Sequence, residues 1–320
     1  MNYLLGVDIG GTTVKIGIIS ENGEIISKWE IPTKKGDQID QIPNDIWSAI
    51  KDRADQLQIR HDQLLGIGVG APGFVEAETG NVAEAVNIGW KNFPLGHLLS
   101  QLSSLPVYVD NDANIAALGE SWLGSGDLAD NLIAITLGTG VGGGIIANGK
   151  IVSGTNGTAG EIGHMVVTSN GAPCNCGRTG CLETVASATG IARIAEEKVK
   201  SDLSSTLSNV LQKQGKLTAK DVFEAAKLND NGAIQIVQEV TDILGMAIAN
   251  IATIVNPSKI IIGGGVSNAG DVLLKPLITA YQKYALPRTF EGSEFVIAEL
   301  GNDAGIIGGG YLVKQNQTVA

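Results

Sequence analysis

The sequence predicts an α/β fold in which two lobes that are built alike enclose a cleft. Composition is the first observation: of 320 residues, 43% are hydrophobic, 4% are aromatic and 43 are glycine, which is typical of strands and helices joined by tight turns. The second observation is a pair of glycine turns, each between two apolar strands. The third is a pair of helices that begin with the same Asn-Asp-Ala triplet. A chain of this length accommodates two domains of ordinary size.

Apolar periodicity and turn residues predict the elements in chain order. Short apolar runs bounded by turn residues indicate strands, and apolar residues spaced three or four apart indicate helices. Asn22-Gly23 marks a hairpin turn, and Pro257 ends a long helix. The predicted strands are 3–8, 13–20, a third from 25, 65–70, 107–110 and 260–262; a strand–turn–strand unit spans 134–146; the predicted helices are 42–57, one from 111, 188–200, 233–254 and one from about 303.

Two glycine turns are candidate anion-binding elements. They lie in DIGGTTVK (residues 8–15) and LGTGVGGG (residues 137–144). Successive backbone N–H groups in such turns form nests for phosphate oxygens, threonine hydroxyls add donors, and Asp8 is suited to hold Mg²⁺. No helix follows either turn directly, so neither matches the Walker loop or the dinucleotide fingerprint. The alternative is two ordinary hairpin turns.

Two helix starts also repeat. Asn111-Asp112-Ala113-Asn114 and Asn302-Asp303-Ala304-Gly305 each precede a turn of small residues. Asn and Asp are good helix N-caps, so two capped helices are the simplest interpretation. The small residues four positions apart also predict that the two helices cross at close range.

The segment EIGHMVVTSNGAPCNCGRTGCLE, residues 161–183, contains every cysteine of the chain: Cys174, Cys176 and Cys181. His164 precedes them in the same segment. Three thiolates and one imidazole suffice for a closed tetrahedral zinc site. The spacing C-x-C-x4-C is not a common zinc-ribbon spacing, so three ordinary buried thiols are the alternative.

Charge and cysteine usage exclude several classes of protein. The net charge is −11, from 22 basic and 33 acidic side chains. Such a surface repels nucleic acid and anionic membranes, so we expect neither as a partner. The N-terminal MNYLLGVDIGG lacks the basic region of a signal peptide, and no apolar run of about 18 residues is free of glycine or charge. Clustered free cysteines suit a reducing compartment, so we expect a cytoplasmic location.

Paired turns and paired crossing helices are the plan of the actin-like ATPase and sugar kinase superfamily, a ribonuclease H-like fold, which this chain resembles. DIGGTTVK, GEIGH (160–164) and CNCGRTGCLE (174–183) together resemble the ROK family (repressors, open reading frames, kinases). LGTGVGGGIIANG and NPSKIIIGGGVS extend the resemblance over the whole chain, and it is closest to the bacterial ROK-type glucokinases. The resemblance implies ATP-dependent phosphorylation of a hexose with Mg²⁺, a structural Zn²⁺, and a homodimer.

The resemblance also implies roles for individual residues of this sequence. The zinc ligands would be His164, Cys174, Cys176 and Cys181. The hexose would be held by Gly73, Asn87, Asn111, Asp112, Glu161, His164 and Glu183, because carboxylates and amides accept hydrogen bonds from hydroxyl groups. ATP would be held by Asp8, Gly10, Gly11, Thr12, Thr13, Lys15, Gly138, Thr139 and Gly140 in the two turns, and by Gly263, Gly264 and Gly265 as the adenosine element.

Phosphoryl transfer needs mainly positioning and charge stabilisation. The group that the protein must add is a carboxylate within hydrogen-bond reach of the sugar 6-hydroxyl. Asp112 is the predicted base, and Asn111 beside it is able to cap the helix. His164 is predicted to bind zinc with one ring nitrogen and to face the sugar with the other. Zinc would then lock a strand at 161–164 against a helix that begins at Glu183.

The predicted lobes are residues 1–110 with about 303–320, and residues 111–302 with a zinc-binding loop at 164–181. Fructose, mannose and N-acetylmannosamine stay open as alternatives to glucose, and a non-catalytic sugar-sensing regulator is the alternative to a kinase. A repressor of this family carries a helix-turn-helix ahead of the kinase-like body, and none is expected here because DIGGT begins at Asp8. Lys34-Lys35 is the one adjacent basic pair, which favours ATP over polyphosphate as the donor.

Overall fold

The structure, a computed structural model, describes residues 1–201 and 205–317. The strands are β1 (Tyr3–Ile9), β2 (Thr13–Ser20), β3 (Ile25–Pro32), β4 (Leu64–Ala71), β5 (Phe74–Glu76), β6 (Asn81–Ala85), β7 (Trp90–Phe93), β8 (Val107–Asn111), β9 (Leu132–Leu137), β10 (Val141–Ala147), β11 (Lys150–Ile151), β12 (Lys259–Gly263) and β13 (Glu294–Ile297). The helices are α1 (Ile42–Gln56), α2 (Leu95–Ser103), α3 (Asp112–Leu123), α4 (Glu183–Ala186), α5 (Ala188–Ser201), α6 (Thr206–Gln214), α7 (Ala219–Lys227), α8 (Asn231–Val255), α9 (Asp271–Tyr284), α10 (Pro287–Glu291) and α11 (Ala304–Gln317).

These elements divide into two compact units. The first unit contains Met1–Leu128, Gly144–Gly160 and the chain from Glu299 onward, and the second contains Ala129–Gly143 and Glu161–Ala298. This division differs from the predicted lobes, because residues 111–128, 144–160 and 299–302 belong to the first unit. The first of these ranges does so because α3 packs extensively against α11. The predicted lobe ranges stay a prediction, and residues 318–320 of the first range lie outside the described residues.

The main sheet of the first unit brings several predicted site residues to one edge. Its strand order is β3-β2-β1-β4-β8, in which β1, β4 and β8 are parallel and β2 and β3 are antiparallel to their neighbours. The register aligns Asp8 with Gly70 and Gly70 with Asp110. The carboxyl ends of the three parallel strands therefore share one edge, which is where open α/β sheets bind ligands.

Helices cover both faces of this sheet, so its parallel strands are nearly continuous apolar runs. The apolar stripe of α1, which includes the buried residues Ile46 and Ile50, belongs to the core on one face. On the other face α11 lies directly on the strands. A methyl group added at Gly6 would overlap the carbonyl oxygen of Ile306, and one added at Gly68 would overlap that of Gly309. The glycines set this close approach.

The predicted close crossing of two small-residue helices is confirmed, and both helices lie in the first unit. A Cβ on Gly119 of α3 would overlap the carbonyl oxygen of Ala304, and a Cβ on Gly308 of α11 would overlap that of Ile115. The two backbones therefore meet without an intervening side chain, and α3 and α11 are held as one piece.

The second unit contains a parallel arrangement of its own, with the strand order β9-β12-β13. Thr136 pairs with Gly263, so the ends of β9 and β12 lie side by side. Gly264 has a φ of +81°, and a Cβ there would lie 2.5 Å from the carbonyl oxygen of Leu137. Only glycine fits this position, which places the predicted adenosine element next to the second glycine turn.

Among the described residues, α8 is the one helix that is long and apolar enough to cross a membrane by length and composition. Of its most apolar window, 56% is buried inside the protein. Gly245 packs on α9, where an added Cβ would lie 2.6 Å from the Cβ of Ala280. Asp230 caps the start of α8 by accepting the N–H of Ala233 at 2.9 Å. These contacts are those of a core helix.

The sequence pattern missed the small antiparallel sheet β5-β6-β7, the strands β11 and β13, and the helices α2, α6, α7, α9 and α10. The three strands of the small sheet are short and partly exposed, and the four residues of β7 do not alternate between buried and exposed. Segments of this length carry too few apolar positions for a period to be recognised.

Candidate functional site

The first glycine turn connects β1 and β2 as predicted. It is closed by a hydrogen bond of 2.9 Å from the Gly10 N–H to the Thr13 carbonyl, and the Thr33 hydroxyl donates to the Gly10 carbonyl at 2.7 Å. Lys15 Nζ lies 3.9 Å from Asp8 Oδ2. Burial raises the pKa of Asp8, and the positive charge of Lys15 offsets only part of that rise. A partly buried carboxylate with one distant cation is suited to a divalent ion.

The Asn111-Asp112 pair stands at the junction of β8 and α3. Asn111 is the N-cap, because its Oδ1 accepts the N–H of Ala113 at 2.8 Å and that of Asn114 at 3.4 Å. Asp112 is the first helical residue, its side chain is exposed, and its Oδ1 accepts the Ala113 N–H at 2.8 Å. Asn111 and Asp112 therefore share the Ala113 N–H at the helix terminus.

The other two sugar candidates of the first unit lie next to these groups. Asn111 Nδ2 donates to the Gly73 carbonyl at 2.8 Å. Gly73 has a φ of +86°, and an added Cβ there would overlap the Glu84 carbonyl oxygen, so the position requires glycine. Asn87 lies near the first turn, since a Cβ built on Gly11 would be 4.0 Å from the Asn87 Cβ.

The second glycine turn, between β9 and β10, is closed by a hydrogen bond of 2.9 Å from the Gly138 N–H to the Gly140 carbonyl. The start of α5 supports it: Thr189 Oγ1 donates to the Thr139 carbonyl at 2.8 Å. Glu183 packs against the same turn, because its Oε2 accepts the Val141 N–H at 3.4 Å. A predicted sugar-binding carboxylate thus contacts a predicted phosphate-binding turn within the second unit.

The predicted zinc ligands converge. His164, Cys174, Cys176 and Cys181 offer one ligand atom each, and these atoms all lie within 4.8 Å of one another. Cys174 Sγ is 3.6 Å from His164 Nδ1, and Cys176 Sγ is 3.6 Å from Cys181 Sγ. Three sulfurs and one imidazole nitrogen are the donor set that structural zinc prefers, and four protein ligands leave no open position. The cluster fits a structural zinc.

Arg178 polarises this cluster. Its backbone N–H and its guanidinium both hydrogen-bond to Cys176 and lower the pKa of that thiol to about 6. Burial raises the pKa of the Cys174 thiol to about 12. The guanidinium also donates to the His164 carbonyl at 2.9 Å, which ties the histidine to the cysteine loop.

Glu161, His164 and Glu183 form a group beside the cluster. His164 Nε2 is 4.0 Å from Glu161 Oε2, and His164 Nδ1 is 3.9 Å from Glu183 Oε1. Burial raises the pKa of Glu161, the charge of His164 lowers it, and Glu183 raises it further. With Nδ1 directed at the sulfurs, Nε2 is left facing Glu161, as the prediction of a two-sided histidine requires.

One detail of the prediction is wrong: residues 162–164 form a 3₁₀ turn and not a strand. Gly163 packs closely against Val141, because a Cβ at position 163 would overlap the Val141 carbonyl oxygen. This tight packing favours a turn. The helix that begins at Glu183 is confirmed as α4. The intervening chain is held to the turn by the Leu182 N–H, which donates to the Met165 carbonyl at 2.8 Å.

Sequence reasoning missed a cavity of about 490 Å³ in the second unit. One face of α7 lines it with Lys220, Phe223, Glu224 and Lys227, and the 3₁₀ turn Gly265–Ala269 lines the opposite side. Gly265, part of the predicted adenosine element, is in this lining. The spacing of the α7 residues by three and four is a helical face that the sequence does contain, but α7 itself was not predicted.

The fold and the two groups of site residues define the class of protein: a sugar kinase of ribonuclease H-like fold. The chain belongs to the ROK family, since the model of that family matches residues 4–316.

Relatives of known activity agree with this assignment. The chain is 57% identical to a glucokinase of Halalkalibacterium halodurans over 98% of its own length and 96% of the relative's. It is 38% identical to a glucokinase of Thermotoga maritima, over 98% and 97% of the two chains. A ROK family glucokinase from Streptomyces griseus, solved in complex with glucose and AMPPNP, has 33% identity and a TM-score of 0.74, with 98% and 100% of the chains covered.

Substitution of Cys176 by Ala tests the zinc cluster. We expect loss of bound zinc, a lower melting temperature and a raised KM for the sugar, because His164 and the turn that carries it lose their anchor. Zinc content by elemental analysis, thermal unfolding and steady-state kinetics are measured on one preparation. Asn175→Ala, in the exposed position between two of the cysteines, is the matched control. A zinc-free Cys176→Ala protein with an unchanged sugar KM would contradict the clamp role.

Proposed function

We infer that this chain catalyses the ATP-dependent phosphorylation of glucose at its 6-hydroxyl, which gives glucose 6-phosphate and ADP. The observation that carries this inference is the near-full-length identity of 57% to a glucokinase, supported by the group Glu161–His164–Glu183 beside a zinc-type cluster. Alternative hexoses are less well supported, because the relatives of 57% and 38% identity are glucokinases. A non-catalytic regulator is less well supported, because the carboxylate and both glycine turns that phosphoryl transfer requires are present.

Six residues besides Asp112 are proposed for sugar recognition. In the first unit Gly73, Asn87 and Asn111 hold the hexose beside Asp112. In the second unit Glu161, His164 and Glu183 accept or donate hydrogen bonds to its ring hydroxyls. Removing one charged hydrogen-bond partner typically costs about 1.5–3 kcal/mol, which corresponds to roughly tenfold or more in affinity.

Asp112 is proposed as the general base. Its carboxylate accepts the proton of the 6-hydroxyl as that oxygen attacks the γ-phosphorus, and ADP leaves with the electrons of the broken P–O bond. Support comes from its place as the first residue of α3, where its side chain is exposed beside the N-cap Asn111. A positioned base of this kind contributes about 10²–10⁴-fold to the rate.

Each glycine turn is proposed as a binding element for ATP phosphates, and the cavity beside α7 is proposed to hold the base. Gly10 to Thr13, Lys15 and Gly138 to Gly140 would donate to phosphate oxygens, and Asp8 would hold Mg²⁺, directly or through water. The cavity of about 490 Å³ next to Gly263–Gly265 has the size of a small-molecule site. When bound, Mg²⁺ neutralises charge on the phosphates, and zinc fixes the shape of the cysteine loop.

Assembly and location are also proposals. The family resemblance supports a homodimer, and two apolar side chains of the second unit, Ile254 and Leu286, are 86% and 59% exposed. Three free cysteines at a zinc-type site support the cytoplasm.

A coupled ATP assay over a panel of hexoses tests the function. We expect glucose to give the highest kcat/KM, above fructose, mannose and N-acetylmannosamine, with ADP formed in proportion to sugar phosphate. Binding of glucose without any ADP release would favour the non-catalytic regulator instead. A clear preference for another hexose would identify that hexose, and not glucose, as the substrate.

Substitution of Asp112 by Asn tests the base. The amide keeps the shape but cannot take the proton, so we expect kcat to fall by about 10²-fold or more while the glucose KM changes little. Asp45→Asn, an acidic residue in the first turn of α1, is the matched control and should behave as wild type. An Asp112→Asn enzyme with near-normal kcat would refute the base role.

Substitution of Gly265 by Leu tests the nucleotide cavity. No atom lies within 4 Å of a Cβ built at Gly265, so the new side chain would stand in the cavity without disturbing the fold. We expect the KM for ATP to rise by about tenfold or more, since the side chain takes the space of the base, and the glucose KM to stay unchanged. Gly292→Ala, where a Cβ meets only ordinary contact at 3.4 Å, is the control. An unaltered ATP KM would exclude this cavity as the base site.

A further inference from the structure

Glu120 is a buried carboxylate for which the proposed mechanism has no use. It lies in α3, about two turns after Asp112, and only 4% of it is exposed. Burying an ionisable group is costly unless hydrogen bonds compensate it. Its partners therefore indicate what it does.

One set of partners belongs to the chain that leads into α11. Glu120 Oε1 accepts the Leu300 N–H at 2.8 Å, and Oε2 accepts the Glu299 N–H at 3.1 Å. Leu300 is the residue that precedes the 3₁₀ turn Gly301–Asp303. The carboxylate thus binds two successive backbone donors at the start of that turn, and hydrogen bonds to a charged acceptor are roughly twice as strong as neutral ones.

The other partners belong to the loop that follows α3. Glu120 Oε2 accepts the Ser125 N–H at 3.2 Å and the Ser125 hydroxyl at 3.4 Å. Gly124 closes over the carboxylate so tightly that an added Cβ would overlap Glu120 Oε2. The loop therefore excludes water from the carboxylate and leaves it bound to protein donors.

The turn that Glu120 holds abuts the predicted magnesium residue. The Asn302 carbonyl accepts from Lys15 Nζ at 3.4 Å, and Lys15 Nζ is 3.9 Å from Asp8 Oδ2. At the start of α11, a Cβ on Gly305 would lie 2.6 Å from the Asp8 Cγ. A shift of this turn would therefore change the surroundings of both Asp8 and Lys15.

We propose that Glu120 is a positioning residue that fixes the Asp8–Lys15 pair relative to Asp112. One end of α3 carries the proposed base, and Glu120 on the same helix fastens the turn that packs against Asp8. The inference rests on the proposed function, because Asp8 and Lys15 are proposed to bind Mg²⁺ and phosphate and Asp112 is proposed as the base.

Substitution of Glu120 by Gln is the first test. One carboxylate oxygen becomes an NH₂ group that faces a backbone N–H. A hydrogen bond to the backbone is therefore lost, while the volume of the side chain is kept. We expect kcat to fall by about tenfold or more and half-saturation by Mg²⁺ to need a several-fold higher concentration. The glucose KM should stay close to wild type.

A residue that only stabilises the fold would lower the melting temperature and the active fraction but leave the Mg²⁺ dependence unchanged. Ile307→Val in α11, where Ile307 is 4% exposed, is the control for such a loss. Kinetic constants are expressed per folded protein, from active-site titration. A Glu120→Gln enzyme with the wild-type Mg²⁺ dependence and kcat overturns the proposal.

Gly124→Ala provides an independent route if Glu120→Gln does not fold. Its methyl group displaces the far end of the Glu120 side chain, so the same rise in the Mg²⁺ requirement and the same fall in kcat are expected. A folded Gly124→Ala enzyme that keeps both values at wild type also overturns the proposal. If the wild-type protein itself forms no ADP with any hexose, the proposed function fails, which is a different result from either of these.

Discussion

The backbone-to-backbone crossing of α3 and α11 is the constraint on which the first unit depends. Gly119 and Gly308 have no room for a Cβ because each faces a carbonyl oxygen of the other helix. A crossing of this kind leaves no flexible side chain between the helices, so the two cannot slide independently. Since α11 also lies directly on Gly6 of β1 and Gly68 of β4, the positions of β1, β4 and α3 are set by the same close packing.

Local signals explain the part of the fold and of the candidate site that the sequence could predict. Glycine turns between apolar strands, an Asn-Asp helix start and small residues four apart each carry their structural reason within a few residues of sequence. The zinc cluster was predictable for a different reason. The three cysteines and His164 are the soft donors of one short segment, and the structure brings their ligand atoms within 4.8 Å of one another.

The features that could not be predicted depend on contacts distant in sequence. Residues 162–164 form a 3₁₀ turn in which Gly163 packs against Val141. The local sequence of these residues gives no sign of that contact. The α7 wall of the cavity depends on the turn at Gly265, far along the chain. Glu120 resembles any charged residue of an amphipathic helix, and its buried state follows only from backbone donors at Glu299 and Leu300.

Glu183 joins three parts of the second unit, and these contacts link the zinc-type cluster to the proposed sugar-binding residues. Its Oε1 accepts from the Cys174 thiol at 3.1 Å and lies 3.9 Å from His164 Nδ1, while its Oε2 accepts from the Val141 N–H at the second glycine turn. Zinc binds cysteine as the thiolate, so loading the site removes the thiol donor. Glu183 would then keep its bond to the turn, and its other oxygen would be able to accept from the sugar hydroxyl groups that it is proposed to bind. The state of the metal site is thereby coupled to the carboxylate that is proposed to select the substrate.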